Sequence, residues 1–203
     1  MKRLVVVVDF GAGNLKSVVK AVRYLGFEGK VTRKARDIQE AAAVILPGQG
    51  AAAPALAELE ALGLVEPIRQ VVREGRPFLG ICLGLQVLFD RTEEGDHPCL
   101  GLLDGEVKRL PPGLKVPHMG WNLVTPRASH PLFQGLPNPA YFYFVHSYYP
   151  APRDPSLVIG ETQYGLPFAS AIAQGKMIAT LFHPEKSGRL GLQLLHNFLR
   201  LAS

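Results

Sequence analysis

The sequence predicts an α/β fold in which a mostly parallel, open sheet is flanked by helices. Three observations lead to this class. Continuous runs of β-branched and aliphatic residues, typical of strands buried on both faces, occur at 4–10, 42–50 and 76–82. Helical periodicity lies between these runs, and glycine-rich turns end them. Strands that alternate with helices in this way form parallel sheets covered on both sides.

The helices are predicted from the spacing of their apolar residues. The first covers 14–26, where GAGN breaks the first strand and Gly26 ends the helix; one face carries Leu15, Val18, Val19, Val22 and Leu25. A second helical segment lies around 64–75. The last begins near Ser187, with Leu190, Leu194 and Phe198 on one face.

The second half of the chain has a different pattern. Short extended segments at 105–110, 141–149, 155–162, 167–173 and 176–182 are separated by proline and glycine, with little helix between them. They predict additional, partly antiparallel strands. No repeat or low-complexity linker divides the sequence, so we expect one flavodoxin-like domain over residues 1–203.

Composition limits the kinds of partner and compartment. With 47% hydrophobic and 19% charged residues, the chain is typical of globular proteins, and its apolar runs are too short to span a membrane. The net charge is +5, but the basic stretch 30–36 lacks interleaved aromatics, so we expect a solvated face and no nucleic acid. No leader-cleavage pattern is evident, and we expect a cytoplasmic protein whose two cysteines are free thiols.

Cys82 is the first candidate catalytic residue. It lies in G-I-C-L-G, which matches a strand–turn–helix elbow in which flanking glycines relieve crowding around a nucleophile. A helix predicted from Leu83 to about Phe89 would favour the thiolate, and the N–H of Leu83 would face the same reaction centre. The alternative is a buried cysteine that only packs at a strand end. Cys99 lacks this context and is taken as structural.

His183 is the preferred partner for such a thiol. It follows an apolar strand, and in an extended segment Glu185 would face the same side and orient the imidazole. The alternative is a strand-end histidine beside an exposed glutamate. His97, His130 and His196 suit surface roles, whereas His118 and His146 have no carboxylate nearby in the sequence.

Several motifs together resemble one family. GICLGLQ at 80–86 and FHPEKS at 182–187 resemble the class I glutamine amidotransferases, which use a Cys–His–Glu triad. VDFGAGNLKS at 8–17, PGQG at 47–50, PHMGWN at 117–122 and FVHSY at 144–148 are similar to the glutaminase subunits of imidazole glycerol phosphate synthase. These motifs run in order along nearly the whole chain.

The resemblance implies an enzyme of histidine biosynthesis that hydrolyses L-glutamine to glutamate and ammonia through a cysteinyl thioester. It implies that Cys82 is the nucleophile, His183 the general base and acid, and Glu185 its orienting partner. It also implies an oxyanion hole from the backbone of Leu83 with Gln49 or Gly50, and a glutamine site formed by Gln86, His146, Ser147 and Tyr148. Gln49 and Leu181 depart from the family pattern at their positions.

The resemblance further implies a heterodimer with a (β/α)₈-barrel cyclase, without a metal or cofactor. Free ammonia is mostly protonated in neutral water, so it must reach its acceptor by a closed path. We expect Asn14, His118 and Trp121 to face this partner, since tryptophan often anchors interfaces. A core position for Trp121 is the alternative.

Three other functions remain open at the level of sequence. The chain could serve another synthase, such as those for anthranilate, carbamoyl phosphate or GMP, although PHMGWN argues against this. It could be a cysteine peptidase, although Gln86 argues against it. It could also be a flavodoxin-like module in which GAGN and PGQG bind phosphate, but two short glycine loops are weak evidence.

Overall fold

The computed structural model describes residues 4–202. Its strands are β1 (Leu4–Val8), β2 (Glu28–Thr32), β3 (Ala43–Gly48), β4 (Phe78–Cys82), β5 (Phe89–Thr92), β6 (His97–Pro98), β7 (Leu103–Arg109), β8 (His118–Pro126), β9 (Ala140–His146), β10 (Tyr148–Pro152), β11 (Val158–Tyr164), β12 (Leu166–Gln174) and β13 (Met177–Thr180). The α-helices are α1 (Leu15–Tyr24), α2 (Ala35–Glu40), α3 (Ala52–Ala61), α4 (Val65–Arg73), α5 (Leu83–Gln86) and α6 (Gly188–Arg200). Short 3₁₀ turns cover Pro131–Phe133, Pro155–Leu157 and Pro184–Lys186.

The main sheet joins a parallel half to an antiparallel half. Its strand order is β2-β1-β3-β4-β13-β12-β11-β8-β9. Pairings from β2 through β13 are parallel, and those from β13 through β9 are antiparallel. The predicted α/β class and the added antiparallel strands are confirmed. Half of the strand pairings in the main sheet are antiparallel, a larger fraction than the sequence predicts.

A second, smaller sheet was not predicted. It has the order β10-β7-β5-β6 and packs into the same hydrophobic core as the main sheet. The sequence predicts one strand over 141–149, which no glycine or proline interrupts. In the structure the chain leaves the main sheet after His146 and enters the second sheet at Tyr148. Likewise, the helix predicted to reach Phe89 ends at Gln86, and β5 follows.

The core explains why the parallel half was predictable. The described residues of β1, β3 and β4 are almost completely buried, as their continuous apolar runs require. Helix α1 covers one face through Val18, Val19 and Val22, and Asn14 caps its first turn by accepting a hydrogen bond from Ser17 N–H. Strand β2 was missed because it is an edge strand of mostly polar, exposed residues.

The basic stretch 30–36 is matched by nearby acidic groups. Lys30 lies 2.8 Å from Asp37, and Arg33 lies 2.7 Å from Glu58. Both cations are half-exposed, so these contacts are ordinary surface ion pairs of small individual energy. Among helices of residues 4–202, none has the length and apolar character that crossing a bilayer demands.

Candidate active site

Cys82 occupies the strained turn that its neighbours predict. It is the last residue of β4 and precedes α5, with φ 54° and ψ −105°, a conformation that residues other than glycine rarely adopt. Gly80 and Gly84 make this turn possible. A Cβ on Gly80 would lie 2.6 Å from the carbonyl oxygen of Gly84, and one on Gly84 would overlap the carbonyl oxygen of Leu46. The predicted elbow is therefore confirmed.

His183 and Glu185 form a buried pair beside this elbow. Strand β13 pairs in parallel with β4, so the residues after β13 leave the sheet at the same edge as Cys82. Nδ1 of His183 lies 2.8 Å from Oε1 of Glu185, and the side chains are 4% and 3% exposed. The predicted contact is present, but its geometry differs. Residues 184–186 form a 3₁₀ turn rather than continuing an extended segment.

The surroundings of His183 favour its charged form. Burial lowers its pKa, but the neighbouring Cys82 and Glu185 side chains outweigh this effect and raise the pKa to about 9. Nε2 of His183 is buried and forms no hydrogen bond of normal length within residues 4–202. Sγ of Cys82 instead lies 3.7 Å from the carbonyl oxygen of Val145. Cys82 raises this pKa through hydrogen bonding and through charge.

The unpaired edge of β9 contacts both the Cys82 elbow and the pair of His183 and Glu185. The N–H of His183 donates to the carbonyl of Tyr143 at 2.9 Å. Ser187 Oγ accepts from the N–H of Tyr143 at 2.9 Å and donates to the carbonyl of His183 at 2.7 Å. Because Val145 of the same strand contacts Cys82, β9 fixes the thiol and the imidazole relative to each other. No local sequence pattern predicts these long-range contacts.

A cavity of about 220 Å³ opens at the Cys82 thiol. This volume is below the ~300–1,000 Å³ typical of sites for drug-sized ligands, so it suits a ligand as small as an amino acid. The structure brings together all the residues predicted for the oxyanion hole and the substrate. The lining is Gln49, Gly50, Cys82, Leu83, Gln86, Glu94, Pro117, Val145, His146, Ser147 and Tyr148.

The backbone around the cavity is arranged by glycines. Gly48 lies opposite Cys82 in the β3–β4 register, and a Cβ there would meet the Phe10 ring at 2.8 Å. Gln49 and Gly50 follow as an exposed turn, with φ 104° at Gly50. Leu83 is buried and begins α5, so its N–H is one of the first-turn amides without a partner inside the helix.

Glu94 is a cavity residue that sequence reasoning missed. It is the carboxylate among the cavity-lining residues, and its Oε2 accepts from the N–H of Ala52 at the start of α3 at 2.8 Å. The N–H of Glu94 donates to Oγ1 of Thr92. The surrounding sequence RTEEGD is typical of an exposed acidic turn. Only the second sheet, which was not predicted, brings this turn to the thiol.

The predicted partner residues have different surroundings. Trp121 is 57% exposed on the β8–β9 hairpin, near exposed Met119 and Tyr141, so a core role for Trp121 is excluded. Asn14 is exposed but also caps α1. His118 is 4% exposed and hydrogen-bonds to His146, and this burial argues against the prediction that its side chain contacts a partner.

Other candidate sites have weaker chemistry. A larger cleft, of about 730 Å³, is lined by residues between Pro126 and Asn138. It contains neither a thiol nor a carboxylate, and Nδ1 of His130 already accepts from the N–H of Leu132. Burial, with the charge of Glu94, raises the pKa of Cys99 to about 11, which makes this thiol a poor nucleophile. No metal-binding group of three His, Cys, Asp or Glu residues occurs within residues 4–202.

Comparison with known proteins shows the family of the chain. The family model for class-I glutamine amidotransferases matches residues 6–202. The chain therefore belongs to the class-I glutamine amidotransferase family. Among its relatives are proteins named imidazole glycerol phosphate synthase subunit HisH. The chain is 52% identical over 200 residues to that of Dehalococcoides mccartyi, covering 98% of each chain, and 53% identical over 197 residues to that of Moorella thermoacetica, covering 97% and 94%.

Solved structures agree on the fold. A crystal structure of a glutamine amidotransferase superimposes with a TM-score of 0.75 at 25% identity, covering 97% of this chain and 98% of the other. The structure of PurLQS from Thermotoga maritima gives a TM-score of 0.77 at 17% identity, covering 98% and 99%. The latter similarity bears on the fold alone.

Proposed function

We propose that this protein is the glutaminase subunit of an imidazole glycerol phosphate synthase, acting in histidine biosynthesis. It hydrolyses L-glutamine to glutamate and ammonia and delivers the ammonia to a cyclase subunit. The observation that carries the proposal is the thiol of Cys82, held at a strained elbow beside the buried pair of His183 and Glu185. The relatives named HisH support the choice of synthase.

The proposed reaction proceeds through a thioester. The thiolate of Cys82 attacks the γ-carboxamide carbon of glutamine, and the carbonyl oxygen becomes an oxyanion. Because the pKa of His183 is raised to about 9, its ring is an imidazolium at neutral pH and can give its proton to the departing ammonia. The neutral ring then accepts a proton from water, which hydrolyses the thioester. Glu185 keeps the ring oriented through the bond to Nδ1.

Stabilisation of the oxyanion is assigned to backbone N–H groups. Leu83 begins α5 next to the nucleophile, and Gln49 and Gly50 border the same cavity. Fixed amides aimed at the developing negative charge are the usual way in which enzymes lower the barrier of acyl transfer. Gln49 is exposed, so its polar side chain costs no burial in this position.

The glutamine substrate would lie among polar groups of the cavity. Gln86 is buried one helical turn after Cys82, and its amide can bond to the amino-acid end of the substrate. Glu94 supplies the negative charge expected to face the α-ammonium group. The backbone from His146 to Tyr148 forms the opposite wall.

The cyclase partner is assigned to the exposed face of the β8–β9 hairpin. Met119, Trp121 and Tyr141 are large hydrophobic residues that are 61%, 57% and 54% exposed there, as expected of an interface surface. The resemblance gives this partner a (β/α)₈-barrel fold. We place the pair in the cytoplasm, where the free thiols of Cys82 and Cys99 would remain reduced.

The direct test uses the two cysteines as a matched pair. Cys82→Ala should abolish glutamine-dependent synthesis in the reconstituted complex but preserve synthesis from added ammonium salts. Cys99→Ala should support both reactions at parental rates. Loss of both reactions in the Cys82 variant, with the complex intact, would instead make Cys82 a structural residue.

A further inference from the structure

Two buried histidines connect strand β8 to the wall of the cavity. His118 and His146 are direct cross-strand partners in the β8–β9 register, and each is 4% exposed. Nδ1 of His118 lies 2.8 Å from Nε2 of His146. Nδ1 of His146 lies 2.9 Å from the carbonyl oxygen of Tyr148. Neither imidazole is used in the reaction proposed above.

The hydrogen atoms of these contacts can be assigned. A carbonyl oxygen only accepts, so Nδ1 of His146 carries the hydrogen and its Nε2 accepts from Nδ1–H of His118. Nε2 of His118 must then accept, and Nδ2 of Asn122 donates to it at 3.2 Å. The same amide nitrogen donates to the carbonyl of Gln163 at 2.9 Å. One continuous chain of donors therefore runs from Asn122 to Tyr148.

This series of hydrogen bonds requires the imidazole rings of His118 and His146 to be neutral. Burial lowers the pKa of His118 to about 4. Burial also lowers the pKa of His146 to about 3, with a smaller contribution from the charge of His118. At neutral pH each ring therefore has a single N–H, and each N–H is used. The position of the His118 ring is fixed further by stacking on Tyr164 at 4.0 Å and on Phe144 at 5.0 Å between ring centroids.

This series of hydrogen bonds ends at the part of the cavity wall where β9 ends and β10 begins. His146, Ser147 and Tyr148 all line the cavity. The bond from His146 to the Tyr148 carbonyl bridges Ser147, whose own carbonyl accepts from the N–H of Leu110 at 3.0 Å. The backbone expected to contact glutamine is thus held from one side by β7 and from the other by the histidines.

We propose that His118 and Asn122 are positioning residues for glutamine binding, which act through His146 to fix the backbone of Ser147 and Tyr148. The inference rests on the proposed function, because it takes glutamine to be the occupant of this cavity. It assigns a role to the polar inner residues of β8, whose outer residues Met119 and Trp121 face solvent.

The test compares two replacements of His118 in the full chain, assayed with the cyclase. His118→Phe retains a ring to stack on Tyr164 and Phe144 but has no donor for His146. We expect the KM for glutamine to rise about tenfold while kcat changes less than threefold, as for loss of one buried hydrogen bond. His118→Asn retains an amide donor near the Nδ1 position and should recover most of the KM. His196→Phe, on α6, is the control. An unchanged KM in a folded His118→Phe protein would overturn the proposal.

Two further measurements are independent of activity. Amide hydrogen exchange at Leu110 reports the bond to the Ser147 carbonyl, and it should be about fivefold faster in His118→Phe than in the parent. Nitrogen NMR of the parent rings should show both histidines neutral, with the hydrogen on Nδ1, even if the variants do not fold. Parental exchange at Leu110, or a different tautomer, would overturn the proposal. Absence of glutaminase activity in the parent would refute the proposed function, and these measurements would still decide the positioning role.

Discussion

The parallel and antiparallel halves of the main sheet contribute different groups to the candidate active site. The parallel half, from β2 to β13, ends at the residues with reactive groups, Cys82 and His183. The antiparallel half, from β12 to β9, supplies backbone and neutral side chains that hold these groups in place. Val145, Tyr143 and His146 all belong to β9. Reactive groups thus lie at the carboxyl ends of buried strands, while an edge strand provides the alignment.

The difference reflects how the two halves are buried. Strands β3 and β4 are covered on both faces, so only residues at or after their carboxyl ends, such as Cys82, can reach a ligand. Strands β8 and β9 alternate between buried and exposed residues. One face can therefore pack around the site while the other presents Trp121 to solvent.

The largest effect should follow from a change to the reactive groups of the parallel half. Glu185→Gln retains the size of the side chain but removes the charge that orients the His183 ring and favours its protonation. We expect kcat for glutamine hydrolysis to fall by about 10⁴, as when the acid of a catalytic triad is replaced by its amide. Steady-state kinetics measures this, with Glu40→Gln on exposed α2 as the control. A loss below tenfold would mean that Glu185 is dispensable.

The same pair predicts a pH dependence. The parent kcat/KM should fall as the pH rises through about 9, where His183 loses its proton, and this fall should shift to lower pH in Glu185→Gln. A fall in kcat/KM at the same pH in the parent and in Glu185→Gln would contradict this assignment.

The raised pKa of His183 also has a consequence for stability. The contribution of His183 to folding should be complete below about pH 6.5 and should be lost as the pH rises through about 9.

An intermediate effect is expected at the junction of the two halves. Ser187→Ala removes the hydroxyl that joins Tyr143 to His183 and leaves the partly buried N–H of Tyr143 without that partner. We expect the free energy of unfolding to fall by about 1–3 kcal/mol and kcat by about tenfold. Denaturant unfolding and kinetics measure the two quantities, and Ser156→Ala is an exposed control. Parental kcat in a destabilised protein would show that β9 stabilises the fold without aligning His183.

The smallest effect on the isolated chain should come from the outer face of the antiparallel half. Trp121→Ala should weaken binding of the cyclase about 30-fold, as expected of an interface anchor, while the free energy of unfolding changes by less than about 0.5 kcal/mol. Titration calorimetry measures the affinity. Tyr24→Ala, a 79% exposed aromatic at the end of α1, is the control. Unchanged affinity would remove Trp121 from the interface.

Sequence reasoning was most successful where local pattern determines structure. The elbow at Cys82 follows from the glycines two residues before and two residues after it. The contact between His183 and Glu185 was predicted from their separation by one residue, although a 3₁₀ turn and not an extended segment brings them together. Both features depend on short stretches of chain. The buried strands of the parallel half were predictable for the same reason, because each is a continuous apolar run.

The remaining features depend on contacts between distant segments. Glu94 reaches the cavity only because β5 and β6 form a second sheet, and those short strands have little apolar pattern. Ser187 meets Tyr143 across 44 positions, and His118 meets His146 across 28. No local pattern specifies such pairs. His118 was placed at an interface because its motif also contains Trp121, although neighbouring strand residues face opposite sides.

The central claim is that the thiol of Cys82 becomes acylated by glutamine. The most direct measurement is rapid acid quenching of the complex during turnover, followed by mass spectrometry of its peptides. We predict a γ-glutamyl adduct on the peptide containing Cys82 and none on that containing Cys99, with more adduct when thioester hydrolysis is slowed. Hydrolysis of glutamine without any adduct on Cys82 at any quench time, or an adduct on Cys99 instead, would contradict the account.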